Sequence, residues 1–138
     1  MRFMIIVKAN ADSEAGVMPP ESLLAEMGAY HKELAKAGVL LDGSGLQPST
    51  KGWRVHYHGG GKTIMDGPFT ESKELIAGYT LIQVKSREEA VEWSRRFPNP
   101  GIGAPDGHIE VRQMYELDDF GESPAVDRMR DIGLGEHP

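Results

Sequence analysis

The chain has 138 residues, 15 Lys and Arg against 21 Asp and Glu, 39% hydrophobic residues and no Cys. That length suits one domain, and the missing Cys excludes disulfides, thiolate metal sites and cysteine nucleophiles. From Glu116 onward seven acids face two bases, a net −5, so residues 1–115 carry only −1 and neither part offers the basic field that nucleic acid binding needs.

Arg2 to Lys8 is rich in β-branched and aromatic residues at both parities, which predicts a strand covered on two faces. This longest apolar run, Phe3 to Val7, is too short for a membrane span or a signal sequence. A loop from Asn10 to Gly16 leads to Pro19 and Pro20, which can open a helix but not continue one. Across Glu21–Ala37 the apolar residues Leu23, Leu24, Met27, Tyr30, Leu34 and Ala37 recur every three or four positions. That spacing predicts an amphipathic helix, with Gly38 as its left-handed C′ residue. His31 falls on the apolar stripe between Leu24 and Leu34, away from Glu26, Lys32, Glu33 and Lys36.

Val39 to Asp42 reads as a short strand entering a turn at Gly43–Gly45. Trp53 to His58 alternates with period two, Gly59–Gly61 can supply the positive φ angles of a hairpin, and Lys62 to Met65 is the return strand. Asp66-Gly67-Pro68-Phe69 halts it, and Ile76–Lys85 is the next strand. Ser86 and Glu89 spell a capping box for a helix that turns Ala90, Trp93 and Phe97 to one side and stops at Pro98. A Pro/Gly-rich loop, Pro98 to Gly107, precedes the last strand, His108 to Glu116. Ile109 and Val111 share one face of that strand, and His108, Glu110, Arg112 and Met114 the other. Ser123-Pro124 can cap a short helix through Asp131, with Val126, Met129 and Ile132 as docking residues.

This order is βαββαβ with a hairpin insert. It predicts an α+β, ferredoxin-like domain over residues 1–119: a four-stranded antiparallel sheet with two helices on one face. An acidic extension, 120–138, follows, with a short helix that can dock on a partner. Two helices cover only one sheet face, and leaving the other in water would expose an apolar patch. A second copy packed face to face by a twofold axis solves this, so a homodimer is expected, closed as a dimeric α+β barrel.

Met65-Asp66-Gly67-Pro68-Phe69-Thr70-Glu71-Ser72-Lys73-Glu74, followed by Ile76-Ala77-Gly78-Tyr79, resembles the signature of the YCII-related family, specifically its DGPF subgroup. Ser86-x-x-Glu89-Ala90-x-Glu92-Trp93, Arg96-x-Pro98, Ile109-Glu110-Val111-Arg112 and the stretch Gly38 to Pro48 match as well, in correct order, over residues 1–119. The resemblance implies the same ferredoxin-like fold, dimerised into an α+β barrel. It implies less about function, since most members have no assigned activity. In the wider group a His on the first helix and an Asp after it are proposed as an acid–base pair, and dehydrochlorination of ring compounds is one linked activity. His31 and Asp42 match that pair by position. Some DGPF proteins also accompany or are fused to extracytoplasmic-function sigma factors.

Each candidate residue has a chemical and a structural reading. His31 could move protons with Asp42 fixing its tautomer, or bond a backbone carbonyl while Asp42 sets up the Asp-Gly turn. Asp66 could face a cleft beside Lys73 or Glu74, or simply begin a turn that Phe69 anchors. Arg112 is a fork donor for carboxylate or phosphate that Glu110 could orient; otherwise they serve in a cross-strand ion pair that stabilises the barrel wall. Tyr79 could supply a phenol or pack in the core. His56 and His58 share a strand face, but no third ligand is evident, so no metal is expected. The Gly-rich segments lack a following Lys-Ser/Thr and open no helix, so no nucleotide cofactor is expected either.

Two functions follow from these residues. One is a small cofactor-independent enzyme, with His31 and Asp42 catalytic and Asp66, Lys73, Tyr79, Glu110 and Arg112 binding a small cyclic or anionic substrate for elimination or isomerisation. The other is a non-catalytic ligand-binding or accessory module. Either is expected to be cytoplasmic, without a membrane partner.

Overall fold

Because Phe3 to Val7 is apolar at both parities, the strand it forms belongs in the middle of a sheet, and it pairs there on both edges. The computed structural model describes residues 1–71, 73–102 and 106–135. Along the chain run β1 (Arg2–Lys8), α1 (Ala11–Glu14), α2 (Glu21–Lys36), β2 (Leu40–Gly45), β3 (Trp53–His58), β4 (Gly61–Asp66), β5 (Ile76–Gln83), α3 (Arg87–Arg95), β6 (Ile109–Gln113) and α4 (Pro124–Asp131). Single 3-10 turns lie at Ser49–Lys51 and Leu117–Phe120. The main sheet is antiparallel in the order β2-β5-β1-β6, while β3 and β4 pair only with each other. With the hairpin set aside, this is the ferredoxin-like strand order. Ser72, Gly103, Ala104, Pro105 and Glu136 of the segments singled out above lie outside the described residues.

The register separates two faces. Toward the helices point Leu40, Ile82 and Phe3 in one row and Thr80, Ile5 and Val111 in the next. Tyr30 and Leu34 of α2 and Ala90 of α3 close over them, with Trp93 and Phe97 packed at the side. Leu34 and Ile5 are fully buried. Helix α2 ends as its sequence requires, with Gly38 at φ +73° and the Val39 amide returning to the Leu34 carbonyl at 3.1 Å. The hairpin turn likewise uses Gly59 and Gly60 at positive φ.

Some local expectations are corrected. Gly43–Gly45 continues β2 instead of turning, because β5 approaches so closely that a Cβ on Gly78 would lie 3.0 Å from the Ser44 carbonyl oxygen. The Asn10–Gly16 loop contains a helical turn, closed by Ser13 N–H on Asn10 Oδ1 and Asn10 N–H on Ser13 Oγ, both at 2.8 Å. Ser86 caps α3 by accepting from the Glu89 amide at 3.1 Å, but the Glu89 carboxylate takes the Lys85 amide instead of completing the box. In the extension Val126 is buried while Ile132 remains 79% exposed, so α4 docks on its own chain through the first and not the second.

Tyr30 ties the helical layer together. Its hydroxyl donates to the Trp93 carbonyl oxygen at 2.7 Å, and its ring meets Phe97 edge-on at 5.2 Å. Burial pushes its pKa up to about 12 against a smaller opposing effect from Arg96. The folded chain therefore favours the neutral phenol: this stabilisation is complete below pH 10 and is lost as the pH rises from 10 towards 12. Urea unfolding at pH 8 and pH 11 should show the wild type losing about 1 kcal/mol more than Tyr30→Phe. Equal losses in both proteins would exclude this phenol as the source.

Candidate functional site

The face of the sheet away from the helices carries most of the polar residues singled out above. Two cross-strand rows define it: Asp42–Leu81–Met4–Arg112 and Ser44–Tyr79–Ile6–Glu110. Asp42 reaches this face through a bulge. Leu40 pairs with Ile82 and Asp42 with the adjacent Leu81, so Leu41 is an extra residue that reverses the parity of everything after it. Asp42 Oδ2 then accepts the Tyr79 hydroxyl at 3.1 Å, while Oδ1 accepts the Gly43 amide at 2.8 Å. Across Leu81 and Met4, three strand spacings away or roughly 15 Å between backbones, Arg112 stands exposed. An acid–phenol pair, the half-buried Met4 and Ile6 and a guanidinium thus face one side, whereas Leu81, next to Asp42 in the row, is only 6% exposed.

One end of this face is already covered. Arg2 Nε donates to both Glu116 carboxylate oxygens at 3.0 and 3.1 Å, and Nη2 donates to the Tyr115 carbonyl at 2.9 Å. The segment after β6 therefore folds back over Arg2, which is only 5% exposed. Met4 and Ile6 remain half-buried and Glu110 and Arg112 exposed.

His31 belongs to the opposite side. Its Nδ1 lies 2.7 Å from the Met27 carbonyl and its Nε2 lies 2.8 Å from Thr80 Oγ1 on the helix-covered face. A carbonyl only accepts, so Nδ1 carries the proton in the neutral ring and Nε2 accepts the Thr80 hydroxyl. Both ring nitrogens are engaged, and the sheet stands between His31 and Asp42. The expected His31–Asp42 pair is therefore not brought together; the Leu41 bulge is the physical reason.

Asp66 and Lys73 are exposed on the hairpin end and the loop after it, apart from the main sheet. The loop between them has a structural anchor that the sequence did not suggest. The Gly67–Pro68 bond is cis, the Gly67 amide donates to the Gly52 carbonyl at 3.0 Å, and a Cβ on Gly67 would overlap the Ser49 carbonyl oxygen. Ser49 Oγ accepts the Phe69 amide at 3.0 Å and donates to the Glu14 carboxylate. The Arg54 guanidinium lies 3.8 Å from the Phe69 ring centre. Glu14 also borders a cleft of about 720 Å³, together with Val17, Met18, Leu46, Lys51 and Ala77. Glu14, Ser49 and Thr80 had no local signal: each matters only through a partner distant in the chain. On the hairpin His56 and His58 stack at 5.7 Å and His58 bonds Thr63. Among the described residues no group of three or more His, Asp or Glu is placed to hold a metal ion, and no helix is long and apolar enough to cross a membrane.

The family model of the YCII-related domain matches residues 1–118, and the chain belongs to that family. An uncharacterised protein of Rhizobium meliloti (strain 1021) is 31% identical over 105 residues, 76% of this chain and 82% of that protein. Among solved structures, the 5-chloro-2-hydroxyhydroquinone dehydrochlorinase TftG of Burkholderia phenoliruptrix AC1100, in complex with 2,5-dihydroxybenzoquinone, aligns with 84% of this chain and 95% of its own. The identity is 14% and the TM-score 0.42.

Two local outcomes test this geometry. Gly67→Ala should destabilise the chain by more than about 2 kcal/mol in denaturant titration, because backbone and not a flexible side chain blocks the methyl group; a loss under half that would refute the clamp. Thr80→Val should leave the fold intact yet shift the Nε2 resonance of His31 in nitrogen-detected NMR, with the Nδ1–H tautomer retained. An unchanged Nε2 signal would show that the hydroxyl is not its partner.

Proposed function

We propose that the chain acts as a homodimer that binds a small, ring-bearing anion on the open sheet face and moves a proton on it without a cofactor. The observation that carries this is the Tyr79–Asp42 hydrogen bond at 3.1 Å on a face whose other end presents Arg112. Arg112 is the anion anchor, its fork matching a carboxylate in two parallel bonds. Glu110, two residues away on the same face, limits how far the guanidinium can swing. Met4 and Ile6 form the floor under the ring. Asp42 takes the proton; Tyr79 keeps the carboxylate aimed beforehand, and once Asp42 is protonated its single O–H turns from Oδ2 to the developing charge. Abstraction next to an electron-withdrawing group, followed by elimination or isomerisation, suits that set. His31 supports the site from beneath, by fixing Thr80 on the strand that carries Tyr79.

A second copy completes the site. Met4 and Ile6 keep apolar surface that neither helices nor extension cover, and the same face of a twin would enclose it while leaving the polar rows to line a hollow. Exclusion of water there strengthens each charge-assisted contact.

A binding module without chemistry is favoured by one feature: both Asp42 carboxylate oxygens are already engaged, Oδ1 by the Gly43 amide and Oδ2 by the Tyr79 hydroxyl, and a substrate proton has to compete with one of these donors. The two readings separate in one experiment. Small cyclic carboxylates bearing an acidic C–H are titrated in D2O, with chemical-shift mapping of the protein and deuterium incorporation in the ligand. Binding should perturb Tyr79, Ile6 and Arg112, and Arg112→Leu should weaken it at least about tenfold. Exchange catalysed by the wild type and lost in Asp42→Asn supports the enzyme, while binding without exchange supports the module. Shift changes confined to other surfaces would overturn both.

A further inference from the structure

The β3–β4 hairpin presents an apolar face that no other element among the described residues covers. Register puts Trp53, Val55 and Tyr57 of β3 on one side with Ile64 of β4, and Trp53, Tyr57 and Ile64 are 63%, 70% and 68% exposed. A two-stranded ribbon standing alone in water is marginal, so a face of this kind implies a cover. Its net charge is positive: from Lys51 to Asp66 three cations stand against one acid, Asp66, which pairs with Trp53 on this side at the base of the hairpin while Lys62 lies near its tip. Arg54 points to the other side, where it meets Phe69 and Glu71, leaving Lys62 beside the exposed apolar residues, 5.5 Å from the Tyr57 ring centre.

The segment that follows β6 is the counterpart. Tyr115, Phe120, Ile132 and Leu134 are 73%, 58%, 79% and 53% exposed. Between Leu117 and Gly135 five acids outnumber two bases. Its own chain uses Val126 for docking, and Arg130 is held by Asp118 and Asp127 at 3.0 and 3.6 Å. Among the described residues hairpin and extension thus both keep uncovered apolar surface, the first with a net positive charge from Lys51 to Asp66, the second with a net negative one. The segment that leads into the extension, Tyr115 and Glu116, lies against Arg2 at the edge of the open sheet face.

We propose that the hairpin of each copy packs on the C-terminal extension of the other, Trp53, Tyr57 and Ile64 against the aromatic and aliphatic residues of the extension, with Lys62 among its carboxylates. The contact occurs twice about the twofold axis and closes the pair. It rests on the homodimer proposed above and adds the arm that grips it. Raised salt should loosen the contact without abolishing it, because the charges lie at the rim of an apolar patch.

The chain has no Cys, so single cysteines report contacts without background. Tyr57→Cys and Ile132→Cys, both at exposed positions, are expressed as full chains singly and together, then treated with a short bismaleimide. Linked dimers are expected from the co-expressed pair and from neither variant alone. Trp53→Glu combined with Ile64→Glu should raise the dimer dissociation constant at least tenfold in sedimentation. Linkage in Tyr57→Cys alone would mean hairpin on hairpin and overturn the proposal. So would absence of linkage in every sample while the wild type sediments as a dimer, an outcome that leaves the sheet-face dimer standing. A wild type that sediments as a monomer at micromolar concentration would remove both.

Discussion

Strand β1 has apolar side chains on both faces, and the two α-helices of the fold supply a layer for only one. Phe3 and Ile5 enter the core under α2 and α3, whereas Met4 and Ile6 stay half-buried on the other side. A central strand of this composition gains stability from two-sided burial, since each buried aliphatic side chain contributes about 1.5–3 kcal/mol relative to exposure. The chain meets part of that need itself by folding Tyr115 and Glu116 back over Arg2. The remainder is where polar residues gather. A sheet face half covered and half polar is poor as a core and good as a binding surface, which is why the functional proposal and the dimer proposal come from the same residues.

One extra residue decides which side chains share that surface. Without the bulge at Leu41, Asp42 would follow the parity of Leu40 and turn toward the helices, where His31 lies. With it, Asp42 joins Tyr79 on the open face and Gly43 takes the place opposite Thr80, leaving room for the His31 ring. The small residue matters there: a Cβ on Gly43 would be 3.6 Å from His31 Nε2, already in contact. His31, held on α2 and against Thr80, and Asp42, on β2, thus lie on opposite sides of the sheet.

Periodicity and punctuation made much of the fold legible. The three- and four-residue spacing of Leu23 to Leu34, the stop at Gly38, the paired glycines of the hairpin and the parity of Ile109 and Val111 all have local causes that survive tertiary packing. The site was legible only in part. Tyr79, Glu110 and Arg112 share a face because simple alternation puts them there. The partner of His31 depended on a bulge, and a bulge leaves no mark in a run such as Val39-Leu40-Leu41-Asp42. Gly43–Gly45 departs from its turn signal for a related reason: glycine signals a turn in isolation, yet at a sheet edge it also permits a close approach of the kind made between Gly78 and the Ser44–Gly45 backbone.

The block from Asp66 to Phe69 gains a different role from this geometry. Gly67 is wedged against the Ser49 backbone, Phe69 is held by Ser49 Oγ, and Ser49 is held by Glu14, so the base of the hairpin is tied to the loop between β1 and α2. Arg54, on β3, covers the Phe69 ring and reaches Glu71 at 3.7 Å, fixing the hairpin at a second point. A ribbon with no third strand keeps a defined direction only if its base is clamped in this way. Asp66 and Lys73 lie at that base and not on the open face, so the motif acts by aiming the arm. In the dimer proposed above, substitutions there would be felt first in how the hairpin meets the second copy, and only through that in the proposed site.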